Sequence, residues 1–295
     1  MRISGYTCCN DAIKNEFTLI ETILSASMYV DEFVYVDGGS SDKTLDIVEY
    51  LKENLPIDLQ IHHNKWEPRL GMGMTSLQKS IALSHCTGDW CHQLDADEVL
   101  HEDKIDTILD KEILSDLVDK NDTNDTDNTC IWLGTKHFYR DYDTYTELDP
   151  VTGNYWYRGK VYIVKNDNMY HHFSSDADND ALSKIDCSKL PDDKACSYLN
   201  EVVMPTMYHY GHVRSKGVYL KKKNAIERRY HPEWEDLKAW EWGGGSVVLR
   251  ENVDTHPKVM EGRVNMGVGY DLEKLYDIEY VHYLIAMVRK YRGGE

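Results

Sequence analysis

Three carboxylates within four positions form the strongest chemical signal in the sequence, at Leu94-Asp95-Ala96-Asp97-Glu98. They follow the segment DWCHQL, which predicts a buried strand. Buried carboxylates are costly unless a cation neutralises them, and in an extended turn Asp95 and Asp97 would project to the same side. Two such oxygen ligands suit Mg²⁺ or Mn²⁺, which also bridge phosphates. The alternative is a solvated acidic turn that begins a helix.

A further carboxylate, Asp37, ends the segment EFVYV and precedes the turn Gly38-Gly39-Ser40-Ser41-Asp42. In that position it can accept a hydrogen bond from a nucleotide base or from a ribose hydroxyl. The alternative is a turn-forming aspartate that bonds its own backbone, which is a common role.

The charge balance limits the classes of partner. The chain has 295 residues, with 33 basic against 51 acidic ones and a net charge of -18. This balance argues against a nucleic-acid partner, because such proteins carry a basic face. An anionic substrate would need a local cation, and a bound metal ion is one way to supply it.

The elements around these carboxylates alternate in type. Strands are predicted over 2–7, 32–36, 57–62 and 89–94, and helices over 15–27, 42–54 and 74–85. Such a run with short connections predicts an α/β fold, a mostly parallel sheet with helices on both faces. Ligands bind at the carboxyl ends of these strands, where the loop after Thr7, Asp37 and Asp95 would meet.

The second half of the sequence is less regular. A helix is expected over 103–118, and an antiparallel pair of strands over 130–139 and 155–164. An acidic surface loop is expected over 174–197, and helices over 215–230 and 271–291. A strand is expected over 202–210, and Pro205 predicts that it lies at the edge of the sheet.

The cysteines and the apolar segments bear on the compartment. Seven cysteines without CxxC spacing predict reduced thiols and a cytoplasmic protein. No apolar run reaches the roughly 20 residues that span a bilayer, and no signal peptide is expected. The basic turn Arg289-Lys290-Tyr291-Arg292 could still bind a membrane surface peripherally.

Four blocks, in their order and spacing, resemble the family 2 glycosyltransferases with the GT-A fold. The blocks are Lys14-Asn15-Glu16, Val36 to Thr44, Gly88-Asp89-Trp90 and the DxD motif at Leu94 to Glu98. The resemblance covers roughly residues 1–105. It implies a Rossmann-like sheet with an irregular antiparallel and helical C-terminal part. It also implies an inverting, hexosyltransferase-type enzyme that uses Mn²⁺ or Mg²⁺ and a nucleotide diphosphate sugar, with a UDP-sugar favoured.

The resemblance assigns roles in the donor site to five residues. Asp97 corresponds to the metal aspartate, and Asp95 to the residue that reaches the ribose and the metal. Asp37 corresponds to the aspartate that reads the base, and Thr7 to a first-strand residue near it. Arg69 lies where the family often has a basic residue near the base or phosphates.

Later residues are candidates for the remaining chemistry. Proteins that resemble this chain often carry a His-Tyr-Gly element, which makes His209 a candidate metal ligand and His212 the second choice. The alternative for His209 is a strand-end histidine with a satisfied hydrogen bond. Arg214, or a lysine among 221–223, is a candidate contact for the diphosphate, although these lysines are equally typical of a solvated helix face.

An inverting transferase also needs one general base to take the acceptor hydroxyl proton. Glu147 and Asp149 are the candidates, and plain loop charge is the alternative for both. Asp141 and Asp176 remain further possibilities.

The predicted division is a nucleotide-sugar-binding half over 1–105, an acceptor-side half of the same catalytic domain over 106–230 and a C-terminal helical extension over 231–295. The expected acceptor is a glycan or glycolipid. A nucleotidyltransferase or pyrophosphorylase is one alternative, but the loop after the first strand reads TCCNDAIKN and lacks the glycine-rich GxGxR pattern of that class. A non-catalytic sugar-binding relative is another, and turnover would distinguish it.

Overall fold

The computed structural model describes residues 1–67, 73–109, 130–146, 159–168, 171–174, 180–183, 206–230, 235–236, 249–252 and 254–294. Within these residues no helix is both long and apolar enough to cross a bilayer.

Four parallel strands, in the order β4-β1-β2-β3, form the first part of the main sheet. They are β1 (Ile3–Cys9), β2 (Glu32–Asp37), β3 (Asp58–His63) and β4 (Trp90–Gln93). The helices that connect them are α1 (Leu19–Ala26), α2 (Thr44–Asn54) and α3 (Gly73–His85). Every residue of β1, β2 and β4 is buried, as expected for strands covered on both faces. The predicted alternation of strands and helices is confirmed.

Side chains of alternate residues in β1 and β2 enter two separate cores. Phe33 and Tyr35 lie in the cluster that contains α1 and α2, whereas Val34 and Val36 lie in the cluster that contains Ala82 of α3. Successive side chains of a strand point to opposite faces, so helices cover both faces of the sheet. The predicted α/β fold class is confirmed.

Beyond β4 the sheet continues through antiparallel strands. The order is β8 (Gly159–Lys165), β6 (Cys130–Tyr139), β7 (Thr144–Thr146) and β12 (Leu249–Glu251). The antiparallel pairing expected for 130–139 and 155–164 is found between β6 and β8. Strand β6 in this part of the sheet carries His137.

Strand β11 (Thr206–His212) lies inside the sheet, so its predicted edge position is wrong. It pairs parallel with β6 and antiparallel with β5 (Glu98–Leu100). The strand begins at Thr206, after Pro205, so its own ladder contains no proline and loses no donor.

Two further expectations differ from the structure. The loop predicted over 174–197 contains a strand, β10 (Asp180–Ser183), which pairs with β9 (His171–Ser174). The helix predicted over 103–118 is a 3₁₀ turn at Glu102–Lys104 followed by α4 (Ile105–Ile108), and residues 110–118 lie outside the described residues.

The C-terminal helices pack on the first half of the chain. These helices are α6 (Glu261–Met266), α7 (Leu272–Leu275) and α8 (Ile278–Tyr291). In the chain they come after α5 (Lys216–Tyr230) and a 3₁₀ turn at Lys258–Met260. The helical segment predicted over 271–291 is thus divided, because the Asp277 side chain caps α8 by accepting from Tyr280 N. Leu284 and Val288 of α8 are fully buried in the core that contains α1. The predicted boundaries at 105/106 and 230/231 stay predictions.

The basic C-terminal turn is partly engaged within the protein. Arg292 donates to the carbonyl oxygens of Ser27 at 3.0 Å and Val30 at 2.8 Å, next to the end of α1. Arg289 donates to the Asn54 carbonyl at the end of α2. Peripheral membrane contact through this turn stays a prediction.

Candidate active site

The loops that follow β1 and β2 are joined by hydrogen bonds at the carboxyl edge of the parallel strands. The Asn10 side chain donates to the Gly38 carbonyl at 2.8 Å, and the Asp11 carboxylate accepts from Ser41 N at 2.6 Å. These bonds bring the two sequence blocks after β1 and β2 into one layer.

The first of these loops also shortens the predicted helix over 15–27, which begins only at Leu19. Asp11 and Glu16 both have positive φ, at 48° and 55°. Glu16 lies within the predicted helix, and a residue in the left-handed region interrupts a helix, so the helical part of the apolar stripe begins only after Phe17.

Asp37 is 2% exposed and is held by the turn that follows it. Its carboxylate accepts from Gly39 N at 2.9 Å, Ser40 N at 3.1 Å and the Tyr35 hydroxyl at 3.1 Å. The turn-forming role is therefore present. Thr7 is fully buried, and its Oγ1 has no hydrogen-bond partner among the described residues. The roles of Asp37 and Thr7 toward a nucleotide base stay predictions.

Asp97 lies at the centre of a buried cluster of charges. Its Oδ2 is 3.0 Å from Arg214 Nη2 and 3.5 Å from Lys222 Nζ, and its Oδ1 is 3.6 Å from His209 Nε2. The Asp97 carbonyl accepts from Tyr210 N at 2.8 Å, which ties the DxD segment to β11. The structure thus brings together three residues that were predicted separately: Asp97, His209 and Arg214.

The cations around Asp97 decide its protonation state. Burial raises the pKa of Asp97, but Lys222, His209 and Arg214 together bring that pKa below its usual range. Burial lowers the pKa of Lys222 to about 8, with a further contribution from Arg214. At neutral pH the cluster therefore contains an ionised carboxylate beside the cations Arg214 and Lys222.

Arg214 is 1% exposed, and its guanidinium is occupied by the protein itself. It donates from Nε to the Gly211 carbonyl at 2.9 Å, from Nη1 to the Asn15 carbonyl, and from Nη2 to Asp97. The guanidinium lies over the Phe17 ring at 3.9 Å. Arg214 thus fixes Asp97 against the loop that follows β1.

Lys222 differs from Arg214 in exposure. Its side chain is 31% exposed, although its ammonium lies beside Asp97. Of the lysines considered over 221–223, Lys222 is the one that the structure shows in an ion pair with Asp97.

Asp95 contacts a different cation from Asp97. Its Oδ1 accepts a hydrogen bond from Nζ of Lys79, which is buried on α3. The shortest ion pair that the structure shows therefore has a different cation for Asp95, Lys79, than for Asp97, Arg214. Lys79 was missed by sequence reasoning, because a lysine within an amphipathic helix is usually solvated, and no local pattern marked it.

His137 is the second residue that sequence reasoning missed. It lies on β6 directly opposite His209 of β11, and the two Nδ1 atoms are 3.1 Å apart. The segment KHFY gave no signal of this contact, since it depends on pairing between strands that are distant in sequence.

Three predicted site residues, Arg69, Glu147 and Asp149, lie outside the described residues, as does Asp176. Asp141 is described, and its Oδ1 accepts from Asp143 N at 3.0 Å and Thr144 N at 2.9 Å. Asp141 therefore stabilises a turn. The identity of the general base stays a prediction.

Asp97 and His209 offer ligand types that suit a divalent cation, while Arg214 and Lys222 lie on the other carboxylate oxygen of Asp97. Asp97 Oδ1 and His209 Nε2 offer a carboxylate and an imidazole at 3.6 Å from each other. Adjacent ligands of an octahedral ion with bonds of 2.0–2.1 Å are about 3 Å apart, so a small adjustment would place both on one ion. An oxygen and a nitrogen ligand suit Mn²⁺, with water and phosphate oxygens completing the shell.

A second group of potential ligands, His101, Glu102 and Asp103, lies beyond β5. His101 Nδ1 accepts from Asp103 N at 3.2 Å, and its Nε2 is 3.0 Å from the Thr255 hydroxyl. Both ring nitrogens are thus engaged, and this group carries no assignment.

Residues 12–113 match the sequence model of glycosyl transferase family 2. The resemblance to family 2 glycosyltransferases is confirmed over this segment. The matched segment includes Asp37, Asp95 and Asp97, whereas His209 and Arg214 lie outside it. No curated protein sequence matches the chain.

Solved structures with a similar chain include several of the S. aureus protein TarS. TarS 1-349 in complex with UDP-GlcNAc is 19% identical, with 47% of this chain and 35% of that chain covered and a TM-score of 0.33. TarS 1-349 in complex with UDP is 16% identical, with 80% and 68% covered and a TM-score of 0.40. For TarS itself the identity is 16%, the coverage 80% and 41%, and the TM-score 0.40.

Proposed function

We propose that this chain is a metal-dependent, inverting glycosyltransferase. It moves a hexosyl group from a nucleotide diphosphate sugar, with a UDP-sugar favoured, to a hydroxyl of a glycan or glycolipid. The observation that carries the proposal is the meeting of Asp97 and His209 with Lys222 beside the carboxyl edge of a parallel sheet. This edge is where such sheets bind ligands, and Asp97 belongs to the family 2 segment.

The charges of the site suit an anionic donor in an acidic protein. The chain has a net charge of -18, but Arg214 and Lys222 both lie within 3.5 Å of Asp97. Arg214 is engaged by Asn15 and Gly211 and positions Asp97, and it remains a candidate contact for the diphosphate. Lys222 has a partly exposed side chain and is the cation that we assign to the diphosphate.

Asp97 and His209 would hold the divalent cation, Mn²⁺ or Mg²⁺. When bound, this ion would supply Lewis-acid stabilisation of the charge that develops on the leaving diphosphate. Asp95, held by Lys79, remains the candidate for the ribose and for a further contact with the metal. Asp37 and Thr7 remain the candidates at the base, and Arg69 stays a candidate beside base or phosphate.

Transfer with inversion forms one bond and breaks another at the anomeric carbon. The acceptor oxygen attacks from one face while the bond to the diphosphate oxygen breaks on the other. The acceptor proton passes to a general base, for which we retain Glu147 and Asp149. The electron pair of the broken bond leaves with the nucleoside diphosphate.

The cytoplasm is the proposed compartment. Support comes from Cys8, Cys9, Cys86 and Cys91, which are buried free thiols. Free thiols persist where the surroundings are reducing.

A donor screen tests the proposal directly. Purified protein is given UDP-, GDP-, dTDP- and CMP-sugars with Mn²⁺, with Mg²⁺ or with EDTA, and both binding and release of the nucleotide are measured. We expect metal-dependent turnover of one donor, lost in Asp97→Asn. The matched control is Asp58→Asn, the same change at a 58% exposed side chain at the start of β3.

Three outcomes of the screen can be told apart. Turnover that survives EDTA would remove the metal from the proposal. Donor binding without turnover, even with glycan and glycolipid acceptors added, would favour a non-catalytic sugar-binding relative. Failure to bind any of the nucleotide sugars would overturn the proposal as a whole.

A further inference from the structure

His137 and His209 form a buried pair across two strands. They are register partners in the parallel pairing of β6 with β11, and their exposed fractions are 3% and 8%. Their Nδ1 atoms are 3.1 Å apart, and the rings meet edge to face, with centroids at 4.9 Å and planes at 70°. The distance is that of a hydrogen bond between two nitrogens.

A hydrogen bond between two Nδ1 atoms fixes the tautomers of both rings. One Nδ1 must carry the proton and the other must offer its lone pair. If His137 donates, neutral His209 carries its proton on Nε2, facing Asp97. If His209 donates, its Nε2 carries a lone pair instead of a proton, and this nitrogen lies 3.6 Å from Asp97 Oδ1.

We propose that His137 is a positioning residue that accepts a hydrogen bond from Nδ1–H of His209. It thereby keeps the Nε2 lone pair of His209 available beside Asp97 for the divalent cation. This inference rests on the proposed function, because it assigns His209 to the ion. A histidine that binds a metal usually donates its other N–H to an acceptor that fixes its tautomer and orientation. Here a second histidine takes the place of the usual carboxylate or carbonyl.

The backbone around His209 supports this geometry. A Cβ at Gly211 would lie 2.7 Å from His209 Nε2 and 2.7 Å from Asp97 Oδ2, so the glycine leaves just enough space for both groups. The register between β11 and β6 shifts after His209, before His212. Such an irregularity re-aims the side chains that follow it, and it confines the direct pairing with His137 to His209.

Three substitutions at His137 separate positioning from packing. The amide of Asn lies near the place of Nδ1, so His137→Asn keeps an acceptor for His209. His137→Gln places its amide farther out, and His137→Phe removes the acceptor while filling the volume. Asn and Gln are both polar, so their contrast stays informative even if His137→Phe does not fold.

The measurement is Mn²⁺ affinity of the full chain, by calorimetric titration with and without UDP. We expect His137→Phe and His137→Gln to weaken Mn²⁺ binding by about 10–100-fold, as removal of such outer partners does elsewhere. His137→Asn retains most of the affinity. His172→Phe, at another buried strand histidine, is the matched control and leaves Mn²⁺ affinity unchanged.

Two further readouts would not respond to a merely structural role. In a His209→Ala background, His137→Phe should cause no additional loss of Mn²⁺ affinity. With Mg²⁺ and UDP bound, NMR of the imidazole nitrogens of the wild type should show His209 protonated at Nδ1.

Several results would overturn the inference. The first is an unchanged Mn²⁺ affinity in both His137→Phe and His137→Gln. The second is a loss of Mn²⁺ affinity on His137→Phe that persists in the His209→Ala background. The third is a His209 ring that is protonated at Nε2 in the Mg²⁺ complex. Wild-type protein that binds UDP but not Mn²⁺ would overturn the inference and leave donor binding standing. Wild-type protein that binds neither would overturn the proposed function itself.

Discussion

Arg214 donates from Nη2 to Oδ2 of Asp97 at 3.0 Å, and both residues are almost fully buried. The same guanidinium holds the loop after β1 through the Asn15 carbonyl. Removing one partner of a buried ion pair leaves an uncompensated charge and typically costs about 3–5 kcal/mol. We therefore expect Arg214→Ala to lower the free energy of unfolding by about that amount, measured by urea denaturation.

A matched control for this change is Arg228→Ala. Arg228 pairs with Asp236, but its side chain is 61% exposed. Exposed pairs contribute about 0–1 kcal/mol, so this variant should unfold close to the wild type. Equal losses in the two variants would contradict the role given to Arg214.

Lys222 should act on the donor more than on the fold. Its side chain is 31% exposed and its ammonium faces Asp97. A hydrogen bond to a charged group contributes about 1.5–3 kcal/mol, so Lys222→Gln should weaken UDP binding by roughly tenfold or more. Calorimetric titration with UDP measures this effect. Lys221→Gln, on the exposed neighbouring residue, should bind UDP like the wild type.

Gly211 sets the distance between β11 and the DxD segment. The Cβ of Gly211→Ala would lie 2.7 Å from Asp97 Oδ2 and from His209 Nε2, closer than real contacts allow. We expect Gly211→Ala to weaken Mn²⁺ binding and to lower turnover, measured by calorimetry and by nucleotide release.

The control for this substitution is Gly217→Ala on α5, where an added Cβ meets nothing within 4 Å. Within a helix, alanine is favoured over glycine by about 1 kcal/mol. Gly217→Ala should therefore keep the Mn²⁺ affinity and unfold no more easily than the wild type. Full activity in Gly211→Ala would show that the strand can move away from Asp97.

The stability of the protein should fall in mildly acidic solution because of His256. Burial lowers the pKa of His256, and Lys136 lowers it further, although the Tyr142 carbonyl and Asp143 act in the opposite direction. The Tyr210 hydroxyl lies 2.7 Å from Nδ1 of the ring. The folded protein therefore favours neutral imidazole.

The direction of the pH effect follows from this lowered pKa. Above the unfolded pKa of about 6.5 both states hold His256 neutral, and its contribution to stability is complete. Below that pH the unfolded chain binds a proton that the folded protein resists, so stability is lost with decreasing pH. Urea denaturation between pH 7 and 5 should show a smaller decline for His256→Asn than for the wild type, and parallel curves would contradict this assignment.

Local patterns predicted the first half of the fold well. The strands of the parallel sheet are runs such as EFVYVD in β2, and the helices between them show apolar residues at helical spacing, so each element carries its own signal. The position of Asp37 at a strand end followed from the same patterns. The start of α1 at Leu19 could not be predicted from local patterns, because it depends on the positive φ of Asp11 and Glu16.

Contacts between distant segments could not be predicted. Arg214 and Asp97 are 117 positions apart in the sequence. Lys79 contacts Asp95 from α3, which packs on the face of the sheet opposite to α1 and α2. The position of β11 inside the sheet likewise arises from pairing with β5 and β6. The DxD motif therefore predicted two neighbouring carboxylates, but their ion-pair partners, Lys79 for Asp95 and Arg214 for Asp97, are known only from the structure.

Helix α8 has a consequence for how the protein can be divided. Leu284 and Val288 cover α1, and Arg292 binds the carbonyl oxygens at its end. A recombinant protein that stops at residue 277, before α8, would leave that side of α1 in water and would tend to aggregate. Supplying the missing helix as a separate polypeptide in trans should restore solubility, since the two ends of the chain build one common core.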